Sequence, residues 1–379
     1  MELTGKPFLY LSFVLVPLSI ALLMLCWSRI RGPQAVRFAG RLGMVLFAQV
    51  TAVTLVFVLV NNANLIYGSW DDLLGTGNHV RAVPVPPPAG GAGGASGGTS
   101  APHAKVVQQF GPVHDDAVPK DVHTTQVKGA TSGVDGEVLV WTPPQYDDPA
   151  YKDVQFPVVE LLAGYPGSSS TWFGTLDVSK QLAPLMKSGQ IAPFILVSPR
   201  VVLLDHQDTG CADVPGKVNA ETWLSRDVPQ MVLDNFRADP SAARWAVAGF
   251  SAGGHCATRL AVDRPDRYRA AISFSGYNSP SQEPDSLTAK DPHLNEVDNP
   301  LYMLTHAATP PNVALYQSGS RNKSDGDDFD DALALQKAAK APTTVTPIET
   351  TGPHLTSTWK PMVVPAFQWL TQYIPVKPA

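Results

Sequence analysis

Charged side chains vanish from two stretches near the start of the chain. Residues 8–27 (FLYLSFVLVPLSIALLMLCW) and 42–60 (LGMVLFAQVTAVTLVFVLV) contain no Asp, Glu, Lys or Arg. Each supplies the ~20 apolar residues that an α-helix needs to cross a ~30 Å hydrocarbon layer. Neither shows the polar stripe of a helix packed on a water-soluble core. The first is too long for the apolar region of a signal peptide and lacks a small-residue cleavage site. The intervening SRIRGPQAVRFAGRL holds Arg29, Arg31, Arg37 and Arg41 and no acid. Short basic loops stay on the cytoplasmic side, which predicts a two-span hairpin with everything after residue 62 exported. Tyr67 and Trp70, in the following NNANLIYGSWDDLLG, suit a membrane–water interface.

Periodicity is then lost. Over residues 83–102 (VPVPPPAGGAGGASGGTSAP), 11 of 20 positions are Pro or Gly, so little surface is available to bury and the segment reads as a tether. The expected division is a 1–62 anchor, a 63–104 juxtamembrane segment and linker, and a 105–379 globular domain. Beyond the linker, short apolar runs alternate with helix-like ones. Strands are expected at 136–141, 156–162, 192–198, 244–248, 270–275, 313–318 and 343–348. Helices are expected at 178–187, 219–237, 252–263, 328–340 and 360–373. Such alternation predicts a largely parallel sheet covered on both faces, and runs such as VVELL fit strands buried on both sides.

Composition narrows the field. Only 16% of residues are charged and the net charge is −5, which removes an electrostatic case for nucleic acid as partner. Cys26 lies in the first span, which leaves Cys211 and Cys256 as the exported pair. An oxidising exterior predicts a disulfide between them.

The chemistry is concentrated in RWAVAGFSAGGHCAT, residues 244–258. An apolar run ends in Gly249-Phe250-Ser251-Ala252-Gly253, and Ala-rich helical sequence follows. A G-x-S-x-G turn between strand and helix is the setting of a nucleophile elbow, whose tightness demands small residues at −2 and +2. A nucleophilic Ser251 needs a base after it in the chain. His354 fits, in a Gly-Pro loop after the last expected strand, whereas His255 sits one helical turn past the serine and reads as structural. The orienting acid is expected just beyond 313–318, where Asp325, Asp327 and Asp328 compete; Asp325 is the choice. Histidine spacing gives no metal motif, so neither metal nor cofactor is expected.

With these residues in view, the chain resembles the Putative esterase family of α/β-hydrolases, which includes esterase D and the mycolyltransferases, and within it membrane-anchored actinobacterial members. The resemblance covers most of 124–375 and rests on WTPPQYDD, LLAGYPGSSSTW, ETWLSRDVPQMV, GFSAGG and PHLTSTW. It implies an α/β-hydrolase fold after two transmembrane helices, and an oxyanion hole from the backbone amides of Tyr165 and Ala252. The acyltransferase branch often carries Asp where Ala163 stands here, which weighs against sugar acylation. The resulting expectation is an extracytoplasmic, membrane-anchored serine esterase acting on lipid-like or envelope esters. Acyl transfer to envelope glycans or lipids, and an inactive binding module, are the alternatives. Substrate walls are expected from loops 199–222 and 278–311.

Overall fold

The computed structural model describes residues 1–76, 78–85, 104–205, 207–322 and 328–375. Two long helices come first, α1 (Lys6–Cys26) and α2 (Gln34–Asn64), both long and apolar enough to cross a membrane. Helix α2 starts earlier than the apolar run, so Arg37 and Arg41 lie on its first turns, and the Arg41 guanidinium stacks 5.0 Å from the Trp27 ring. The hairpin is inside-out relative to a soluble core. Its buried side chains include Ser12, Ser19, Thr51 and Asn61, and a Ser19–Thr51 hydroxyl contact of 3.0 Å joins the two helices. Small polar residues at the contact let helices approach where the surroundings are themselves apolar. Leu11, Phe13, Leu22, Leu46, Val50 and Val53 point outward instead.

The chain then lies against the globular part well before the Pro/Gly stretch. A short helix, α3 (Trp70–Leu74), carries Asp72, which pairs with Arg200 at 2.8 Å. The His79 amide donates to the Leu203 carbonyl, and Val80 bridges Val134. Past the linker, the Val106 amide donates to Asp234. Residues 86–103 lie outside the described residues, but the chain on either side of them packs on the same domain. The linker therefore joins two points of one surface and does not set the spacing between hairpin and domain, as a tether would.

Nine strands form one sheet: β1 (Gly111–Pro112), β2 (His123–Lys128), β3 (Asp135–Trp141), β4 (Val158–Leu162), β5 (Ile195–Pro199), β6 (Trp245–Phe250), β7 (Ala270–Phe274), β8 (Ala314–Ser320) and β9 (Thr344–Thr350). The order is β1-β2-β3-β5-β4-β6-β7-β8-β9. From β5 to β9 all neighbours are parallel, while β1, β2 and β3 form an antiparallel edge. All seven expected strands are present, within a few residues of their ends. The expected helices appear as α4 (Val178–Lys187), α5 (Val228–Asn235, after a π-helical turn at Trp223–Asp227), α6 (Ala252–Asp263), α7 (Asp328–Ala338) and α8 (Val363–Leu370).

Alternation along β4 explains the layers. Val158 and Leu162 join one core with Trp245, Val247 and Leu260, whereas Val159 and Leu161 join the other with Trp172, Phe250 and Phe367. Glu160 shares the first face and is fully buried. The Tyr268 hydroxyl lies 2.8 Å from its Oε2 and 3.1 Å from the Leu224 carbonyl oxygen. That hydroxyl has one proton to give. A neutral Glu160 that donates to Tyr268 while Tyr268 donates to Leu224 satisfies both contacts. Burial pushes the Glu160 carboxyl up to about 8, against the pull of Tyr268 and Arg267.

This carries a stability consequence with a definite sign. The folded value lies above the ordinary one of 4.5, so the group's contribution is complete below that pH and is lost as pH climbs toward about 8. Across that window the slope for one proton is at most about 1.4 kcal/mol per pH unit. Urea unfolding midpoints of the detergent-solubilised chain should fall between about pH 5 and 8, and Glu160→Gln should flatten the fall. An equally steep fall in the variant would remove Glu160 as its cause.

Candidate active site

The site sits at the C-terminal edge of the parallel strands, where open α/β sheets bind ligands. Strand β6 ends at Phe250, Ser251 turns, and α6 begins at Ala252. Ser251 has φ 56° and ψ −128°, a left-handed conformation that costs a non-glycine residue of order 1–3 kcal/mol. Its amide donates to the Phe274 carbonyl oxygen at 2.8 Å, which ties the turn to β7. The two flanking glycines are sterically required. A Cβ on Gly249 would lie 1.8 Å from the Gly253 carbonyl oxygen, and one on Gly253 would lie 2.4 Å from the carbonyl oxygens of Leu162 and Ala163.

Across this turn, His354 Nε2 lies 2.8 Å from Ser251 Oγ, within the range for a base that takes the hydroxyl proton. The His354 ring meets Trp359 edge-on at 5.0 Å, and Trp359 stacks on Phe250 at 4.9 Å. The Trp359 indole donates to Ser275 Oγ at 3.0 Å and is itself buried. Trp172 extends this aromatic floor, 5.7 Å from Phe250 and 5.9 Å from Phe274. Reasoning from sequence missed Trp359, although it closes the PHLTSTW motif.

The loop after β4 crosses directly over Ser251, since a Cβ on Gly164 would lie 3.1 Å from Ser251 Cβ. Tyr165 follows, half-buried. Burial, followed by the charges of Asp208 and Asp285, raises the Tyr165 hydroxyl to about 12, so the phenol stays neutral. Ala252 is the first residue of α6, where an N–H has no intrahelical acceptor. Ala163 is buried in the core beneath and offers no polar side chain.

His255 packs on Tyr277 instead of joining Ser251 and His354. Its ring stacks on Tyr277 at 4.6 Å, its Nδ1 lies 2.9 Å from the Tyr277 carbonyl oxygen, and burial lowers it to about 4. It is neutral at ordinary pH. Of the acid candidates, Asp325 and Asp327 lie outside the described residues. Asp328 opens α7, but its side chain also lies outside them. Cys211 and Cys256 are joined by a disulfide, which pins the 207–215 loop to α6 one turn past Ser251.

A serine resting on an imidazole, in a strand–turn–helix elbow at the edge of a parallel sheet, defines a serine hydrolase of the α/β-hydrolase class. The chain belongs to the esterase family described as "Putative esterase", which it matches over residues 130–359. It is 26% identical over 264 residues to an uncharacterized protein of Corynebacterium glutamicum, covering 64% of this chain and 59% of that one. It is also 36% identical over 59 residues to S-formylglutathione hydrolase of Bos taurus, covering 16% and 20%. The chain thus spans less than two thirds of the length of either curated relative. Among solved structures, a ferulic acid esterase aligns with TM-score 0.57 at 20% identity, covering 67% of this chain and 98% of that one. An S-formylglutathione hydrolase from Agrobacterium tumefaciens aligns with TM-score 0.52 at 14% identity, covering 71% and 100%. At these identities the structures speak for the fold alone.

Two outcomes follow from the elbow. Gly253→Ala should separate α6 from the β4 end, with a loss of about 2 kcal/mol or more and at least tenfold slower fluorophosphonate labelling; a variant that labels at the normal rate would show that the turn tolerates bulk. Replacing both Cys211 and Cys256 by Ser opens a loop of sequence separation 45 and should lower stability by about 3–4 kcal/mol. Two free thiols in the unreduced, denatured chain, beyond that of Cys26, would rule the bridge out.

Proposed function

We propose that the chain is a membrane-anchored serine esterase whose catalytic domain works on the extracytoplasmic side. The observation that carries the reading is the 2.8 Å contact between His354 Nε2 and Ser251 Oγ within the glycine-bounded elbow. In the proposed cycle Ser251 Oγ attacks the ester carbonyl carbon as its proton passes to His354 Nε2. The amides of Tyr165 and Ala252 hold the developing oxyanion. Collapse breaks the bond to the alcohol, which leaves with the proton from His354, and an acyl group remains on Ser251. Water, deprotonated by His354, then releases the acid and restores the serine. Asp325 is the proposed acid that orients His354 and stabilises its imidazolium form.

The anchor has its own support. Among the described residues after 104, the large apolar side chains that stand exposed are Val106, Val107 and Leu355, whereas α1 and α2 expose them along their whole lengths. Such surface on two helices of this length is what a bilayer covers. Arg29, Arg31, Arg37 and Arg41 at the closed end of the hairpin favour that end in the cytoplasm, which exports the domain. Ala163 supports water over a sugar as the acyl acceptor, because it supplies no carboxylate to bind a hydroxyl.

The test is mutagenesis with turnover of a p-nitrophenyl ester. Ser251→Ala and His354→Ala should each lower kcat/KM by about 10³ or more, since the members act as one unit. Asp325→Asn should cost less, and Asp328→Asn should leave activity near normal. Near-normal turnover by purified Ser251→Ala would overturn the mechanism. A transferred ester that dominates over free acid in dilute polyol would make the chain an acyltransferase.

A further inference from the structure

We infer that the segment leaving the second apolar helix, residues 61–75, forms one wall of the substrate site, and that this wall selects esters whose apolar part enters from a lipid layer. The inference rests on the esterase reading of Ser251. The segment is held by side chains at every step. Asn61 is buried and clamps Tyr67 twice: its Nδ2 donates to the Tyr67 carbonyl at 3.0 Å, and its Oδ1 accepts from the Tyr67 amide at 2.9 Å. Leu65 caps α2 in the left-handed region at φ 50°, its side chain buried. Its carbonyl accepts from Ser168 Oγ at 3.0 Å and Thr171 Oγ1 at 3.2 Å, in the stretch just after Tyr165. Asn64 Oδ1 accepts from Thr356 Oγ1 at 3.1 Å, two residues beyond His354.

These contacts enclose a cavity of about 250 Å³ between the two stretches. Ile66 and Tyr67 face Tyr165, Pro166, Val202 and Leu204 across it, and the Asp72–Arg200 pair closes it with its charges matched. Tyr165, whose amide is assigned to the oxyanion, lines this cavity, and Gly164 before it approaches Ser251, so a group bound there lies beside the proposed site of the scissile ester. A larger cavity of about 550 Å³, lined by Gln145, Pro157, Pro193 and Arg244, lies at the opposite end of the strands, away from Ser251.

The occupant follows from position. Val60, the last residue of the apolar run, is exposed, and Ile66 begins the cavity wall six residues later. Four helical residues, 61–64, rise about 6 Å and the two that follow add at most about 7 Å, which keeps the cavity within the interfacial zone of a bilayer crossed by α2. Leu355, beside His354, is 49% exposed. On a soluble surface this is an isolated apolar residue. Near the end of a membrane helix it lines a path along which a hydrocarbon chain reaches Ser251 with little exposure to water.

The test uses the full chain in phosphatidylcholine vesicles, with p-nitrophenyl acetate as the water-soluble ester and p-nitrophenyl dodecanoate as the bilayer-resident one. The readout is the ratio of kcat/KM for dodecanoate to that for acetate. Tyr67→Ala should lower this ratio at least about tenfold, the scale for losing part of an apolar pocket, with the loss mainly in KM. Tyr67→Phe should restore it. Leu355→Gln, at an exposed position where folding is not at stake, should lower it in the same direction. Ratios within about twofold of wild type for both Tyr67→Ala and Leu355→Gln would overturn the inference. Absence of Ser251-dependent hydrolysis of either ester in the unmutated chain would instead remove the esterase reading beneath it.

Discussion

The structure turns on how closely α6 approaches the end of β4. Gly253 sits where a single added carbon would strike two backbone carbonyls, those of Leu162 and Ala163. That proximity forces the chain to reverse within one residue after Phe250, and the reversal places Ser251 in the left-handed region. The strain persists because parallel pairing fixes β6 on both sides, to β4 over Val158–Leu162 and to β7 over Ala270–Phe274. Three chemically distinct groups arrive at one point as a result. The loop after β4 brings Tyr165, the turn after β6 brings Ser251, and the residue after β7 brings Ser275, the acceptor for the indole that supports His354.

His354 is held differently from Ser251. His354 comes on a loop after the edge strand β9, where no ladder fixes it. Trp359 packs against it, wedged between the imidazole and Phe250 and anchored by its indole N–H. Ser251, set by the backbone of the elbow, and His354, packed on Trp359, respond to different perturbations. Changes in core volume around Phe250 and Trp359 act on His354, whereas changes at Gly249 or Gly253 act on Ser251.

How much of this the sequence disclosed follows from the range of the forces involved. Buried parallel strands read clearly because both faces are apolar, and the elbow read clearly because its sterics are local. Strand β2 (HTTQVK) is illegible: it lies at the antiparallel edge with His123, Gln126 and Lys128 exposed, and so polar a run carries little strand signature. Three short helices lie within 287–306, where the pattern suggests loop, although Asp291-Pro292 and Asn299-Pro300 carry the cap-then-proline signal of a helix start. Their four to seven residues are too few to show a period. The choice among the acids had no local discriminator, since Asp325, Asp327 and Asp328 lie within four positions of one another. The contact between Asn64 and Thr356 joins residues 292 positions apart and leaves no trace in either local pattern.

That long-range contact changes what the Pro/Gly stretch is for. A domain on a flexible tether samples all orientations, and its active site meets a surface only in a fraction of them. Here the Leu65 carbonyl, the Asn64 amide and the Asp72–Arg200 pair attach the end of α2 to the loops on either side of Ser251 before the linker begins. Each such contact is worth only about 1 kcal/mol alone, but two act at the end of α2 and the third on α3 just after it, and together they limit the direction of that segment. If α2 crosses a bilayer, the orientation of the catalytic cleft toward that bilayer is therefore a property of the fold. The Pro/Gly stretch comes after these contacts in the chain and so does not set that orientation.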